Sequence, residues 1–215
     1  MKQKDIFLNS EGDNWFKRNV IDGHGKFDPS QDNVLTAIAK FEHYFTSGDV
    51  NILEIGCGQG HRLKWLKEHS GYKCYGIDPS EMSVESARSI GVNATLGTAD
   101  SIPFSDKTFD IVVFGFCLYL CDREDLFRIA AECFRTLKPN SWIIINDFFS
   151  TSHTSSEYIH KDGVRSFKMD YSSIFTWHPN VTCFSQFIYH HEEMKMTDRV
   201  EEWVATSVLR RCNNF

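Results

Sequence analysis

The 215-residue sequence predicts an α/β fold with a doubly wound, Rossmann-like sheet that is mostly parallel, has helices on both faces and ends in an antiparallel hairpin. Short apolar runs alternate with amphipathic segments between residues 50 and 145, which is typical of parallel strands joined by helices. The runs at 111–114 and 142–145 are continuously apolar, as expected of strands buried on both faces. Two alternating segments around a polar turn at 196–198 predict the hairpin.

The predicted elements follow one another along the chain. Asp32 is expected to cap a helix that ends at Ser47 and Gly48. Further helices are expected at 62–69, at 81–90, and from Asp122 to a stop at Pro139. The parallel strands are expected at 50–55, 72–77, 92–96, 110–114 and 142–145, and the hairpin strands at 181–189 and 201–209. Residues 148–180 are polar and rich in aromatics without a clear period, which favours a functional lid.

The composition is that of an ordinary globular chain with an acidic surplus. The formal net charge is −6 and the sequence has no run of lysine and arginine, so we expect no nucleic-acid partner. No apolar run reaches the length of a membrane span and the first residues are polar, so we expect no membrane partner and a cytoplasmic location. The seven cysteines are odd in number and lack metal-ligand spacing, which favours packed thiols and no metal site.

Polar and glycine-rich residues lie at or after the end of each predicted parallel strand. Because the carboxyl ends of parallel strands meet at one edge of the sheet, where α/β proteins bind ligands, we expect these residues to form the site. They are Glu54, Gly56, Cys57, Gly58 and Gly60 at the first strand, Asp78 and Pro79 after the second, Asp100 and Ser101 after the third, Phe116 and Tyr119 after the fourth, and Asn146 and Asp147 at the fifth.

The glycine loop (residues 56–60) and the acid that follows it indicate a bound nucleoside. Glycines allow a ligand to lie directly against the backbone, and Asp78 follows Gly58 by 20 residues, which places an acid at the end of the next strand. A carboxylate there can accept hydrogen bonds from both ribose hydroxyls. The alternative is that Asp78 caps the helix at 81–90, since Asp-Pro-Ser also opens helices.

The spacing around the glycine loop separates two kinds of nucleoside ligand. A dinucleotide loop usually reads GxGxxG and binds a pyrophosphate, whereas the third glycine here comes one residue earlier. Glu54 lies two residues before the first glycine, and its negative charge favours an ammonium-bearing ligand over a pyrophosphate. The alternative role for Glu54 is to brace the backbone of the loop.

Taken together, these strings resemble class I S-adenosylmethionine-dependent methyltransferases, most closely the small-molecule enzymes of the ubiquinone/menaquinone-type superfamily. The resemblance covers about residues 50–147 and rests on ILEIGCGQG at 52–60, GIDPS at 76–80, TADSIPF at 98–104, FDIVV at 109–113 and LKP at 137–139. It implies that the cofactor is S-adenosylmethionine. The length of the chain favours one domain, and the order of the predicted elements divides it into four parts: an N-terminal cap segment and helix at 1–48, the cofactor-binding core at 49–147, a substrate-side insert at 148–180 and the C-terminal hairpin at 181–215.

The resemblance assigns each loop a part of the cofactor. It implies that the glycine loop lines the methionine and ribose side and that Asp78 binds the ribose hydroxyls. Asp100, with Ser101 beside it, is expected to accept the adenine amino group, and Phe116 is expected near the methionine portion. Tyr119 stands where the family frequently has a histidine, so a base at that position does not carry over from the family.

The acceptor is expected between the N-terminal segment and the insert, since both flank the same edge of the sheet. Trp15, Phe16 and Arg18 from one side, and Tyr158 and Tyr171 from the other, combine aromatic rings with cations. This chemistry suits a sugar or an anionic or phosphorylated small molecule. The alternative is that the aromatics pack the cap while the cations, which include Lys161, Arg165 and Lys168, are solvated.

Methyl transfer from a sulfonium requires alignment more than acid catalysis, and it needs a base only where the nucleophile must lose a proton. By position the candidate bases are His153, Tyr119 and Asp147, each with a structural role as the alternative. The sequence favours O-methylation of a small molecule. The alternatives are an NAD-type oxidoreductase and a non-catalytic, S-adenosylmethionine-binding regulatory protein. No Asn/Asp-Pro-Pro-Tyr string follows the fourth strand, which disfavours methylation of nucleic-acid bases.

Overall fold

The computed structural model describes residues 2–21, 27–44 and 49–212. Its strands are β1 (Asn51–Ile55), β2 (Lys73–Asp78), β3 (Asn93–Leu96), β4 (Phe109–Gly115), β5 (Leu137–Phe148), β6 (Thr154–Glu157), β7 (Arg165–Lys168), β8 (Val181–His190) and β9 (Trp203–Arg211). The main sheet has the order β3-β2-β1-β4-β5-β9-β8, in which β1 to β5 are parallel. β9 pairs antiparallel with β5 and β8. This topology confirms the predicted doubly wound sheet with an antiparallel end.

The helices cover both faces of this sheet. They are α1 (Gln3–Ile6), α2 (Gly12–Phe16), α3 (Asn33–Phe41), α4 (His61–His69), α5 (Glu81–Ser89), α6 (Leu126–Thr136) and α7 (Ser173–Thr176). Two π-helical stretches, Phe7–Glu11 and Lys17–Ile21, continue α1 and α2 into one helical run, which we call the N-terminal segment (residues 3–21). No helix in the described ranges is long and apolar enough to cross a membrane.

The core has two halves, one on each face of the sheet. Ile111 and Val113 of β4 pack with α3 and α4, whereas Val112 and Phe114 pack with α6 on the other face. All four side chains are fully buried, as the continuous apolar run predicted. The rigid middle of the sheet therefore fixes the positions at which the loops of the site begin.

The N-terminal half departs from the expected boundaries at its helices. The Asp32 side chain caps α3 as predicted, by accepting a hydrogen bond from the backbone N–H of Leu35 at 2.9 Å. α3 ends at Phe41 and continues as a 3₁₀ turn through Glu42–Tyr44, and the expected stop at 47–48 lies outside the described residues. Residues 3–21, expected only as a polar cap segment, are helical.

The second half departs at β5 and in the insert. The helix expected to continue to Pro139 ends at Thr136, and β5 begins at Leu137, which pairs with Phe109 of β4. These residues therefore pair with β4 as a strand, although their apolar period also fits a helix. The insert, expected to be irregular, contains the antiparallel pair β6–β7 and the short helix α7.

Candidate cofactor and acceptor site

The glycine loop adopts a backbone conformation that side chains disfavour. Gly56 and Gly58 have φ values of +76° and +51°, in the left-handed region. A Cβ built on Gly56 would meet the Cβ of Cys117 at 2.9 Å, so the loop packs closely against the end of β4. A Cβ on Gly58 would meet nothing within 4 Å, so this position borders open space. The loop therefore leaves room for a ligand directly above its backbone.

Asp78 braces the glycine loop from the end of β2. Its carboxylate accepts hydrogen bonds from the backbone N–H of Gly58 at 2.9 Å and of Ser80 at 3.0 Å. Burial raises the pKa of Asp78, although these two bonds oppose the shift. The cap of α5 is Ser80, whose hydroxyl accepts from the backbone N–H of Ser83 at 3.0 Å. Asp78 is thus not the helix cap, and its carboxylate lines a cavity.

Asp100 is paired with the N-terminal segment. Lys4 donates a hydrogen bond from Nζ to Oδ2 of Asp100 and lies 3.0 Å from Oδ2 of Asp125. Burial would raise the pKa of Asp100, but the hydrogen bonds from Lys4 and Thr98 and the charge of Lys4 lower it overall. The carboxyl is therefore held as an ionised acceptor at the end of β3.

The loop after β4 is held by Asp147. The carboxylate of Asp147 accepts backbone N–H groups of Cys117 at 3.1 Å, Leu118 at 2.8 Å and Phe148 at 2.8 Å. Burial raises its pKa to about 7, against the effect of these bonds. With its oxygens committed to backbone donors, Asp147 is placed to position the loop, and its contacts do not support the expected role as a base. The loop carries Phe116 with φ of +48°, a strained backbone that the bracing maintains.

Glu54 belongs to a buried ion-pair group rather than standing alone. Arg62 of α4 donates Nη1–H to Oε1 of Glu54 and Nε–H to Oδ2 of Asp32, the latter at 2.8 Å. Burial raises the pKa of Glu54 to about 7, although the charge of Arg62 lowers it. The group therefore places a carboxylate and a guanidinium side by side next to the glycine loop, whose N–H groups at Gly56 and Gly58 donate to Ile77 and Asp78 instead.

Two cavities meet at the glycine loop. The inner cavity, of about 150 Å³, has Asp78, Pro79 and Asp100 among its lining residues. The outer cavity, of about 490 Å³, is lined by Glu54, Arg62 and a set of rings and imidazoles, which are Phe27, His61, Tyr119, Phe148 and His191. Five residues line both: Trp15, Gly56, Gly58, Gly115 and Phe116.

The N-terminal segment covers the inner cavity. Gly12 packs backbone to backbone on the loop after β2, since a Cβ there would lie 3.1 Å from the carbonyl oxygen of Pro79. The carboxylate of Asp13 accepts hydrogen bonds from Oγ of Ser80 at 2.6 Å and from the backbone N–H of Met82 at 3.1 Å. Lys4, Phe7, Gly12 and Trp15 line the cavity from this side.

The expected cofactor residues come together, whereas most of the expected acceptor residues do not. Of the ten cofactor residues, all but Ser101, which is exposed, line one or both cavities. Of the five acceptor residues only Trp15 does. Phe16 and Tyr171 are buried, and Arg18 pairs with Glu11 while its Nη2 lies 3.1 Å from the hydroxyl of Tyr158. The contact between Arg18 and Tyr158 joins the segment to the insert.

Among the expected bases, Tyr119 lines the outer cavity and His153 does not. His153 is exposed in the loop after β5, while Tyr119 packs edge-on against Phe148 with ring centroids 4.9 Å apart. His191 also lines the outer cavity, although it is not among the site residues predicted from the sequence. Its Nδ1 lies 3.7 Å from Oε2 of Glu202. The position of His191 could have been predicted, because it directly follows β8. β8 runs parallel to β5, so the carboxyl end of β8 lies at the same edge of the sheet as the ends of the parallel strands.

The fold is an α/β domain with two cavities at the edge of the sheet where its parallel strands end. Residues 53–145 match the family model described as a methyltransferase domain. This match covers less than half of the chain, so over residues 53–145 the chain is similar to a methyltransferase domain, a class of protein whose cofactor is S-adenosylmethionine.

Relatives share this domain at low identity. The carboxy-S-adenosyl-L-methionine synthase of Glaesserella parasuis is 24% identical over 131 residues, which cover 57% of this chain and 54% of that protein. The norajmaline N-methyltransferase of Rauvolfia serpentina is 32% identical over 104 residues, or 44% of this chain and 35% of that protein. The chain thus spans between about a third and about half of these relatives. A methyltransferase structure from Methanosarcina mazei covers 80% of this chain and 96% of its own, with a TM-score of 0.62 at 17% identity, and this likeness shows the fold alone.

Proposed function

We propose that this chain methylates a small molecule, with the nucleoside part of S-adenosylmethionine in the inner cavity and the acceptor entering through the outer one. The observation that supports this most is the shared wall of the two cavities. The acids Asp78 and Asp100 line the inner cavity, a carboxylate and a guanidinium line the outer one, and Gly56, Gly58 and Phe116 border both. A cofactor that spans this wall presents its reactive centre to the acceptor side.

The residues present fit S-adenosylmethionine. The open space over Gly58 suits a ligand that lies on the loop, and Asp78 has oxygen lone pairs left for ribose hydroxyls after its two backbone bonds. The carboxylate of Glu54, which lines the outer cavity beside the glycine loop, suits the ammonium of the amino-acid part. When bound, the cofactor supplies an electrophilic methyl group on a positively charged sulfur.

The chain's own contribution to the reaction is alignment and exclusion of water. Phe116 and Trp15 lie where the two cavities meet, and Phe148 packs edge-on against Phe116 with ring centroids 5.5 Å apart. Aromatic walls of this kind hold an acceptor in one orientation and keep solvent away from it. His191 lines the outer cavity, and its imidazole lies beside the carboxylate of Glu202. We assign His191 the role of the base that takes the proton from an acceptor hydroxyl.

The walls of the outer cavity favour one class of acceptor. Arg18, Lys161, Arg165 and Lys168, the cations expected to hold a phosphate, do not line it, and Arg62 is already paired with two acids. Rings and imidazoles dominate instead. We therefore propose O-methylation of a planar, largely apolar small molecule that bears a hydroxyl, in preference to a phosphorylated sugar.

Binding and transfer test this proposal separately. Calorimetry with S-adenosylhomocysteine and with NAD is expected to give binding for the first alone, and binding of NAD alone would overturn the cofactor assignment. Radiolabelled S-adenosylmethionine is then incubated with a stoichiometric amount of protein and either a small-molecule extract or total RNA. Label in a small phenolic product supports the proposal. Label in RNA overturns the acceptor class, and tight binding with no labelled product favours a regulatory protein.

A further inference from the structure

The first turn of the N-terminal segment is tied to the adenine end of the inner cavity by charge. Lys4 bonds Asp100 and lies 3.0 Å from Asp125, while Lys2 lies 2.6 Å from the other oxygen of Asp125. The carboxylates are almost fully buried, at 6% and 9% side-chain exposure for Asp100 and Asp125, whereas Lys2 is 40% exposed. Lys4 is the ammonium that also lines the cavity.

Gln3 fixes the register of this turn. Its side-chain amide donates to the carbonyl oxygen of Leu120 at 2.9 Å and accepts from the backbone N–H of Arg165 at 2.6 Å. Its backbone N–H donates to Asp122 at 2.9 Å. A buried glutamine with these partners holds Lys4 at one height over Asp100, since sliding the turn would break several bonds at once.

The contact has a second effect, on Asp100 itself. The largest influence on the pKa of Asp100 is burial, which raises it, and Lys4 supplies most of what lowers it. Without the ammonium, the carboxyl would keep only its bond to Thr98. An ionised Asp100 accepts a hydrogen bond from an exocyclic amine through its other oxygen, whereas a protonated one presents a donor there.

We propose that Lys4 is a positioning residue of the cofactor site, which orients the Asp100 carboxylate towards the nucleobase and fastens the N-terminal segment over it. This inference rests on the proposed placement of the nucleoside in the inner cavity. It adds a residue that lies 96 positions before its partner and outside the methyltransferase domain match at 53–145. Release of the nucleoside then requires the contacts of Lys4 to break.

The test compares dissociation rates in four proteins: wild type, Lys4→Met, Lys4→Arg and Lys17→Met. Lys17 is the matched control, since it is exposed on the same segment and has no ion pair with any residue the structure describes. The probes are S-adenosylhomocysteine and 5′-methylthioadenosine, which lacks the amino-acid end. For both probes, Lys4→Met should dissociate about tenfold faster than wild type, which corresponds to about 1.4 kcal/mol. Lys17→Met should match wild type, and Lys4→Arg should recover most of the loss.

Amide hydrogen exchange of residues 3–16 gives a readout that a simple loss of stability would not reproduce. S-adenosylhomocysteine should slow exchange of this segment in wild type and in Lys17→Met, and much less in Lys4→Met, at equal saturation with ligand. Unchanged dissociation and unchanged protection in Lys4→Met overturn the role of Lys4 and leave the proposed function standing. Failure of wild type to bind S-adenosylhomocysteine overturns both. A loss for S-adenosylhomocysteine but not for 5′-methylthioadenosine would also contradict the role at the nucleobase.

Discussion

Gly12→Ala tests whether the N-terminal segment lies as close to the cofactor loops as described. Gly12 has helical dihedral angles, φ −56° and ψ −51°, so in a free helix alanine would be favoured by about 1 kcal/mol. Here the new Cβ would lie 2.9 Å from the carbonyl oxygen of Phe7, 3.1 Å from that of Pro79 and 3.1 Å from Cα of Ser80. Ordinary contacts begin near 3.4 Å, and all three neighbours are backbone atoms that cannot rotate away.

The magnitude follows from the balance of these two effects. Overpacking of this kind costs typically about 1–3 kcal/mol, which exceeds the gain in helix propensity. A net cost of about 1 kcal/mol, borne by the closed position of the segment, lowers the affinity for S-adenosylhomocysteine roughly fivefold. The fold of the sheet should be unaffected, because neither half of the core includes Gly12.

Calorimetry with S-adenosylhomocysteine measures the change in affinity, and thermal unfolding of the free protein measures the change in stability. Asn9→Ala is the control, since Asn9 is exposed on the same segment. If Gly12→Ala binds the ligand as tightly as wild type and unfolds at the same or a higher temperature, the close approach to Pro79 and Ser80 is refuted.

Three further predictions concern the acids and the imidazole of the site. Asp78→Ala should weaken S-adenosylhomocysteine binding by more than about tenfold, because it removes both the bonds that hold the glycine loop and the expected acceptor for the ribose hydroxyls. Asp106→Ala, a change at an exposed acid, should leave the affinity measured by calorimetry unchanged. Burial raises the pKa of Glu54 from 4.5 to about 7, so the stability linked to this carboxyl is fully present below about pH 4.5 and is lost as the pH rises through 7. Denaturant unfolding of Glu54→Gln should therefore show a shallower loss of stability than wild type between about pH 5 and pH 8, and a parallel loss would contradict the shift. His191→Gln should slow single-turnover methyl transfer to a hydroxyl acceptor by about a hundredfold with unchanged S-adenosylhomocysteine affinity. His153→Gln should leave the rate unchanged. A slow His153→Gln beside an unaffected His191→Gln would restore His153 as the base.

The parallel sheet could be predicted because the residues of its strands have an apolar pattern that does not also fit the neighbouring elements. The run at 111–114 is apolar without a break, as expected of a strand buried on both faces. The gathering of the expected cofactor residues at one edge followed, since parallel strands bring their ends together by geometry alone. What this reasoning could not supply was which contacts those residues make with one another, such as the pair of Glu54 with Arg62.

The N-terminal segment was missed because its buried positions are partly polar and do not repeat every 3.6 residues. Gln3, Phe7 and Glu11 are buried at intervals of four, a spacing that the π-helical stretch accommodates. Gln3 and Glu11 are satisfied by partners far along the chain or by Arg18, so no hydrophobic pattern marks them. Most of the expected acceptor residues lie outside the two cavities for a related reason: proximity to an edge in sequence does not say which side chains the edge exposes.

The shared wall between the two cavities also bears on how proteins of this kind diversify. Changes at Trp15 or Phe116 alter both cavities, so they affect the proposed cofactor and acceptor positions together. Changes at Val20, Phe148 or His191 touch the outer cavity alone. A lineage can therefore acquire a new acceptor through substitutions in the C-terminal third and the end of the N-terminal segment while its nucleoside pocket stays untouched, and directed evolution of this chain should begin at those positions.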